Sequence, residues 1–132
     1  MSFHLVIISP RGIYFDNEVE SLTLKLTSGY RTILSGHAPL IGSLAYAPMH
    51  IIKDNKTTYY SLNGGAINVS KEKVTLIVNS IESKDEIDIK RAKEAKERAE
   101  ERLSSKDPNI DIKRAQAALY RAISRIKTYE ID

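Results

Sequence analysis

The chain changes its periodicity once, near Ile81, and that change limits what it can fold into. Before it, apolar residues recur in short runs punctuated by Gly, Pro and polar turn formers, which is how paired strands are written. After it, from Asp85 to Leu103, the chain is almost entirely Ala, Glu, Lys and Arg, all strong helix formers. No helical pattern interrupts the first part. The division predicts a β-sandwich, or flattened barrel, over residues 1–83 and an antiparallel two-helix hairpin over residues 84–132.

The strands can be read individually. "FHLVII" is a β-branched run that stops at the turn signal "SPRG". "VESLTLKL" puts Val19, Leu22, Leu24 and Leu26 on or near one face, with Ser21, Thr23 and Lys25 opposite. "RTIL" follows, and then "SGHAPLIGSLAYAP", rich in Gly and Pro. "MHIIKDNKTTYYSL" reads as a hairpin turning at "KDNK", and "GGAINVSKEKVTLIVNSI" as another turning at "SKEK". With no Trp and only 2 Phe, the core must rest on Ile, Leu, Val and Tyr. The first apolar run is too short for a spanning helix, so any membrane contact is expected to go through another protein.

In the helical part "SSKDPN" is the break, and Asp107 before Pro108 reads as an N-cap followed by proline at the first helical position. The second helix then runs to about Thr128. Ala92, Ala95, Ala99 and Leu103 share one face of the first helix; Ile112, Ala115, Leu119, Ala122 and Ile126 share one face of the second. At roughly 25 cal/mol per Å² an alanine seam gains much less than a leucine seam, so a hairpin that opens is expected. The hexapeptide "IDIKRA" occurs at Ile87–Ala92 and again at Ile110–Ala115. Each copy marks a helix start: an acid near the positive end of the helix dipole, an Ile anchor, then basic residues.

Signals for catalysis are poor. There is no P-loop, no G-x-G-x-x-G and no G-x-S-x-G, and the lack of Cys excludes disulfides and thiolate zinc sites. His4 and His50 fall in expected strands and read as structural or surface residues. His37 lies among turn formers, where it either bonds its own backbone or contacts a partner. A net charge of +3 is mild and does not argue for nucleic acid. The basic residues do gather late. Arg91 and Arg98 share a face of the first helix, Arg121 and Arg125 a face of the second, and antiparallel pairing would bring Arg91 near Arg121 and Arg125, beside Asp88. Such a guanidinium cluster suits a polyphosphate carrying a base. The alternative is a solvated face held by intrahelical pairs such as Glu94–Arg98, which composition alone favours.

Four segments resemble the epsilon subunits of bacterial F-type ATP synthases. "LSGHAPLIGSL" at Leu34–Leu44 is similar to that family's P-G-H-x-P-L loop, and "LNGGAINV" at Leu62–Val69 to its S-G-G-x-x-E-V strand. "EIDIKRAKEAKERAEERL" and "DIKRAQAALYRAISRI" are similar to its two helices. The resemblance implies a non-catalytic rotor subunit of a proton-translocating enzyme, at the cytoplasmic face of the plasma membrane. Its sandwich would bind the gamma subunit and sit on the c-ring. Its hairpin would lie folded on the sandwich or extend along gamma to the catalytic alpha/beta hexamer, inhibiting ATP hydrolysis.

The resemblance also implies a regulatory ligand, ATP, on the folded hairpin; no cofactor is required, and whether Mg²⁺ accompanies ATP stays open. The family signature [I/L]-D-x-x-R-A falls on Ile87, Asp88, Arg91 and Ala92. Phosphate-facing arginines fall on Arg121 and Arg125, an upstream glutamate on Glu82, and a further arginine on Arg98. Contacts to the c-ring and gamma would involve Tyr30, Arg31, Ser35 and His37. Here Tyr30 and Arg31 replace a Glu-containing pair, Ser35 replaces Pro, and Asn68 stands where Glu is usual. Two other readings remain: a purely structural rotor subunit without nucleotide sensing, and a nucleic-acid binder using the basic second helix, for which the sequence offers little.

Overall fold

Seven strands form one hydrogen-bonded sheet in the computed structural model, which describes residues 1–132. They are β1 (Phe3–Ser9), β2 (Gly12–Val19), β3 (Ser21–Leu26), β4 (Gly29–Leu34), β5 (Leu40–Lys53), β6 (Lys56–Val69) and β7 (Lys73–Ser83). Their order is β2-β1-β7-β6-β5-β3-β4, antiparallel throughout except for the parallel β1–β7 pair. The inner faces meet in a single cluster of 17 buried side chains drawn from all seven strands, with none from a helix. Val19, Leu22, Leu24 and Leu26 all belong to it, as their alternation predicts. At the β5–β6 turn Asp54 and Asn55 take φ of 53° and 61°, the left-handed pair that a two-residue hairpin demands.

Only the first five residues of the Gly- and Pro-rich stretch before Met49, 35–39, are loop. β5 runs through it from Leu40, Pro48 included. Pro48 lies where the β3–β5 ladder is interrupted, between the Thr23–His50 and Leu26–Leu44 pairs, so its missing N–H costs no bond to β3.

The alternation slips by one position along a line crossing three strands. On β6, Tyr60 and Leu62 face the core at one end, and Ile67 and Val69 at the other. β5 slips between Leu44 and Met49, and β7 between Val78 and Ile81. Pairing nonetheless continues on both sides, through Leu44–Gly65–Val78 and Ala47–Leu62–Ile81. Gly64 and Gly65 sit on this line with φ of 73° and 127°. A Cβ on Gly65 would lie 2.1 Å from the Ile77 carbonyl oxygen, so no side chain fits there.

The slip divides the outer face in two. Beyond it, Tyr46, Ser61 and Asn63 lie under a helix. Before it, Ile8 pairs with both Ile13 and Ile77, and the last two are 67% and 58% exposed, leaving an apolar row uncovered.

After β7 comes one 3₁₀ turn, Lys84–Glu86, then α1 (Ile89–Ser104) and α2 (Ile112–Tyr129). Both helices start later than the sequence suggests. Asp88 caps α1 by accepting from the Arg91 amide at 3.1 Å, and Asp111 caps α2 by accepting from the Arg114 amide at 3.1 Å. Each "IDIKRA" is therefore an aspartate cap with its helix. Asp107 instead holds a turn, accepting from the Asn109 amide at 2.9 Å, and Pro108 lies in that turn rather than at a helix start. The later cap wins because its carboxylate meets a free amide three residues on. In the seam Ala92, Ala99, Ala115 and Ala122 are buried, whereas Ile112, the first residue of α2, is 60% exposed. α2 packs on β5 and β6, and α1 packs chiefly on α2.

Because the core holds no helical residue, a fragment of residues 1–83 should fold alone. A cooperative urea transition with a β-type circular dichroism spectrum is expected; a disordered fragment would show that the hairpin completes the core.

Candidate functional site

Where β7 passes into the hairpin, four elements enclose a cleft of about 340 Å³. β7 contributes Glu82; the 3₁₀ turn contributes Glu86; the start of α1 contributes Asp88, Arg91, Ala92, Ala95 and Arg98; and α2 contributes Arg125. The local folding explains the grouping. The Asp88 cap fixes the first turn of α1, and residues at successive turns then present Arg91, Ala95 and Arg98 to one side. Antiparallel pairing brings the far end of α2 alongside.

Six of the eight residues that the sequence assigns to a nucleotide therefore line one cleft: Glu82, Asp88, Arg91, Ala92, Arg98 and Arg125. Ile87 is buried next to Asp88 and does not line it. Arg121 lies one turn before Arg125, half-buried and outside the lining. Glu86 lines the cleft and went unnoticed in the sequence; its signal was its place three residues after Ser83, a capping-box spacing.

The cleft's charges are mostly unpaired. Arg125 Nε donates to Glu82 Oε1 at 2.5 Å, with both side chains about 30% exposed. Arg91 and Arg98 have no ion-pair partner, and the intrahelical Glu94–Arg98 pair is not formed. Glu86 is turned the other way: its Oε1 accepts from the Ser83 amide at 2.9 Å and from the Tyr14 hydroxyl at 2.8 Å. These bonds, led by that from the Ser83 amide, hold the Glu86 carboxyl below its ordinary range. Burial and the neighbouring Glu86 push the Tyr14 phenol well up. In chemical terms, two free guanidiniums and one that can exchange partners suit an oligophosphate, and flanking carboxylates suit hydroxyl or amino donors.

The second copy of "IDIKRA" has no such surroundings; Arg114 is exposed and lines nothing comparable. Tyr30 is exposed on the β3–β4 hairpin with Lys25 Nζ 5.8 Å from its ring centre. Arg31 follows it and points to the opposite face of β4, and Ser35 and His37 lie past the strand's other end. His37 Nδ1 donates to the adjacent Ala38 carbonyl at 2.7 Å and borders, with Phe3, Ile33 and Leu34, a second cleft of about 360 Å³. His4 sits on the surface between Asp16 and Glu18, and half-buried His50, against the Tyr59 ring, has its basicity lowered by burial. No helix is long and apolar enough to cross a membrane.

Fold and cleft together define a class: a β-sandwich with a helical hairpin folded against it and a charged cleft at the hinge. Residues 2–84 match the beta-sandwich domain of the ATP synthase delta/epsilon chain, and residues 85–130 its long alpha-helix domain. The chain is 38% identical over 105 residues to the ATP synthase epsilon chain of Priestia megaterium, covering 80% of this chain and 78% of that one. It is 40% identical over 109 residues to that of Bacillus cytotoxicus, covering 83% and 82%. A chain of the Euglena gracilis mitochondrial ATP synthase, in an assembly with its c-ring, has the same fold (TM-score 0.82, 21% identity, 93% of this chain and 78% of that). The chain belongs to the ATP synthase delta/epsilon family, as a non-catalytic epsilon subunit of the central stalk.

The lowered Glu86 carboxyl gives the hinge a pH dependence. A depressed carboxyl contributes stability above its ordinary value of 4.5 and loses it as pH falls through the folded value. In a carboxyl ¹³C titration Glu86 should show a midpoint below 4.5 that rises when Tyr14 becomes Phe; an unmoved midpoint would refute the Tyr14 contribution.

Proposed function

We propose that this subunit couples and regulates the rotor of a proton-translocating ATP synthase at the cytoplasmic face of the membrane, with ATP holding its hairpin down. The observation that carries this reading is the cleft, because its walls come from β7, the hinge, α1 and α2 and coincide only while the hairpin is folded. Phosphates would lie against Arg91, Arg98 and Arg125, with Arg125 leaving Glu82 for the phosphate. Glu82, once freed, accepts from the adenine amino group, which guanine lacks at that position. Asp88, already capping α1, has a second oxygen for a ribose hydroxyl. An undocked hairpin would extend along gamma to the alpha/beta hexamer and inhibit hydrolysis; ATP would oppose that by mass action.

Calorimetric titration with ATP, with ADP and GTP as controls, tests the reading. One saturable site selective for ATP is expected. Arg91→Ala and Arg125→Ala should weaken it about tenfold or more, each removing a charge-assisted bond of roughly 1.5–3 kcal/mol. Arg114→Ala should leave it unchanged, and equal losses in all three would reject the site.

For gamma, the uncovered row of Ile13, Ile8 and Ile77 favours an apolar partner surface. Tyr30 and Arg31 on β4, and Ser35 and His37 in the loop after it, would face the c-ring or gamma. Ile77→Asp should abolish co-purification with gamma while leaving ATP binding intact, and retained gamma binding would place that interface elsewhere.

A further inference from the structure

Glu86 sits on the wall of the arginine cleft yet makes no ion pair with any arginine. One oxygen, Oε1, takes both the Ser83 amide at 2.9 Å and the Tyr14 hydroxyl at 2.8 Å, which turns the carboxylate toward the sandwich. The Ser83 bond comes from the hinge itself and binds Glu86 to its own turn. The Tyr14 bond comes from β2, 72 residues away in sequence. Tyr14 is fixed in turn by edge-on packing against Tyr60, with ring centres 6.3 Å apart. Glu86, Glu82 and Arg125 also border a neighbouring cleft that Tyr14 lines, so the phenol stands beside the arginine cluster and outside it.

We infer that Tyr14 is a positioning residue for the ligand site: its hydroxyl withholds Glu86 from Arg91 and Arg125, so that Arg91 stays unpaired and Arg125 has only Glu82 to give up for an anion. The physical step is a competition. A carboxylate on the wall of a cationic cleft is itself an anion and competes with any phosphate for the same donors. Holding its Oε1 toward β2 turns the competitor away without removing its charge from the hinge. The same bond ties the sandwich edge to the hinge, so the site is organised by the domain that carries none of its arginines. This rests on the oligophosphate reading of the cleft.

The test uses the full-length chain with Tyr14→Phe, which keeps the ring and its packing on Tyr60, and Tyr14→Phe/Glu86→Gln, which keeps an acceptor for the Ser83 amide but removes the competing charge. In the protein without ligand, the Nε–H resonances of ¹⁵N-labelled arginines should move in Tyr14→Phe, as Glu86 swings onto Arg91 or Arg125. They should return in the double variant. ATP affinity should fall about two- to fivefold in Tyr14→Phe, the scale of an exposed ion pair, and recover in the double variant. A purely structural role for Tyr14 would give no recovery, and that result overturns the inference. Unmoved arginine resonances overturn it as well, whether or not ATP binds. Moving and recovering resonances in a protein that binds no ATP would support the positioning role and reject the nucleotide reading.

Discussion

The backbone contact at Gly65, where any side chain would collide with the Ile77 carbonyl, governs the arrangement of the molecule. It permits β6 to change which of its residues face inward, and β5 and β7 change with it because they stay paired across the same line. Without the slip, Ser61 and Asn63 would point into an apolar core, at the cost that follows burial of unpaired polar groups. With it, they form the seat for α2, and Ile8, Ile13 and Ile77 form an open apolar face on the remaining half. One steric constraint thus separates a covered outer surface from an uncovered one.

The seat is polar, which sets how firmly the hairpin is held. Ser61 and Ser124 share a hydrogen bond at 2.8 Å, and Thr128 is buried beside them with its hydroxyl donating to the Ser124 carbonyl at 2.8 Å. Asn63 Oδ1 is buried with no partner, a cost to the docked state that water would relieve on opening. Lys84 Nζ donates to the Ile131 carbonyl and Arg125 to Glu82, so the far end of α2 is held by charge rather than by apolar area. Each such bond contributes about 1 kcal/mol net. Small polar groups tolerate exposure far better than a leucine interface would, so undocking the hairpin would cost less than parting a leucine interface and would leave the 17-residue sandwich core untouched.

Much of this was legible in the sequence because it depends on local chemistry. Strand alternation in "VESLTLKL", the "KDNK" turn and the Ala stripes each translate directly into geometry. Proline takes its place from the fold. Pro48 sits inside a strand because a neighbouring ladder is interrupted there, and Pro108 fails to start a helix because Asp111 offers a better cap. Neither outcome is local: each depends on which partner a residue meets in the fold. The aspartate of "IDIKRA" was legible as a helix start, but only the tertiary packing distinguishes the two copies, placing Arg91 in a cleft and Arg114 in solvent. The Tyr14–Glu86 bond was invisible for the same reason, since nothing near either residue in sequence points to the other.

The distribution of the cleft's walls has a thermodynamic consequence that does not depend on ligand identity. Glu82 comes from the sandwich, Glu86 from the hinge, Arg91 and Arg98 from α1, and Arg125 from α2. Any molecule that needs all four walls has no site once α2 leaves the sandwich, so it binds one state only. Such a ligand at a hundred times its dissociation constant favours the docked state by about 2.7 kcal/mol. That is the size of two or three of the polar bonds that hold α2 down. Leucines between α2 and the sheet would dwarf the ligand and leave the hairpin docked whatever its concentration. With Ser124 and Thr128 rather than leucines facing the sheet, the docking contact is of a size that such a ligand would tip.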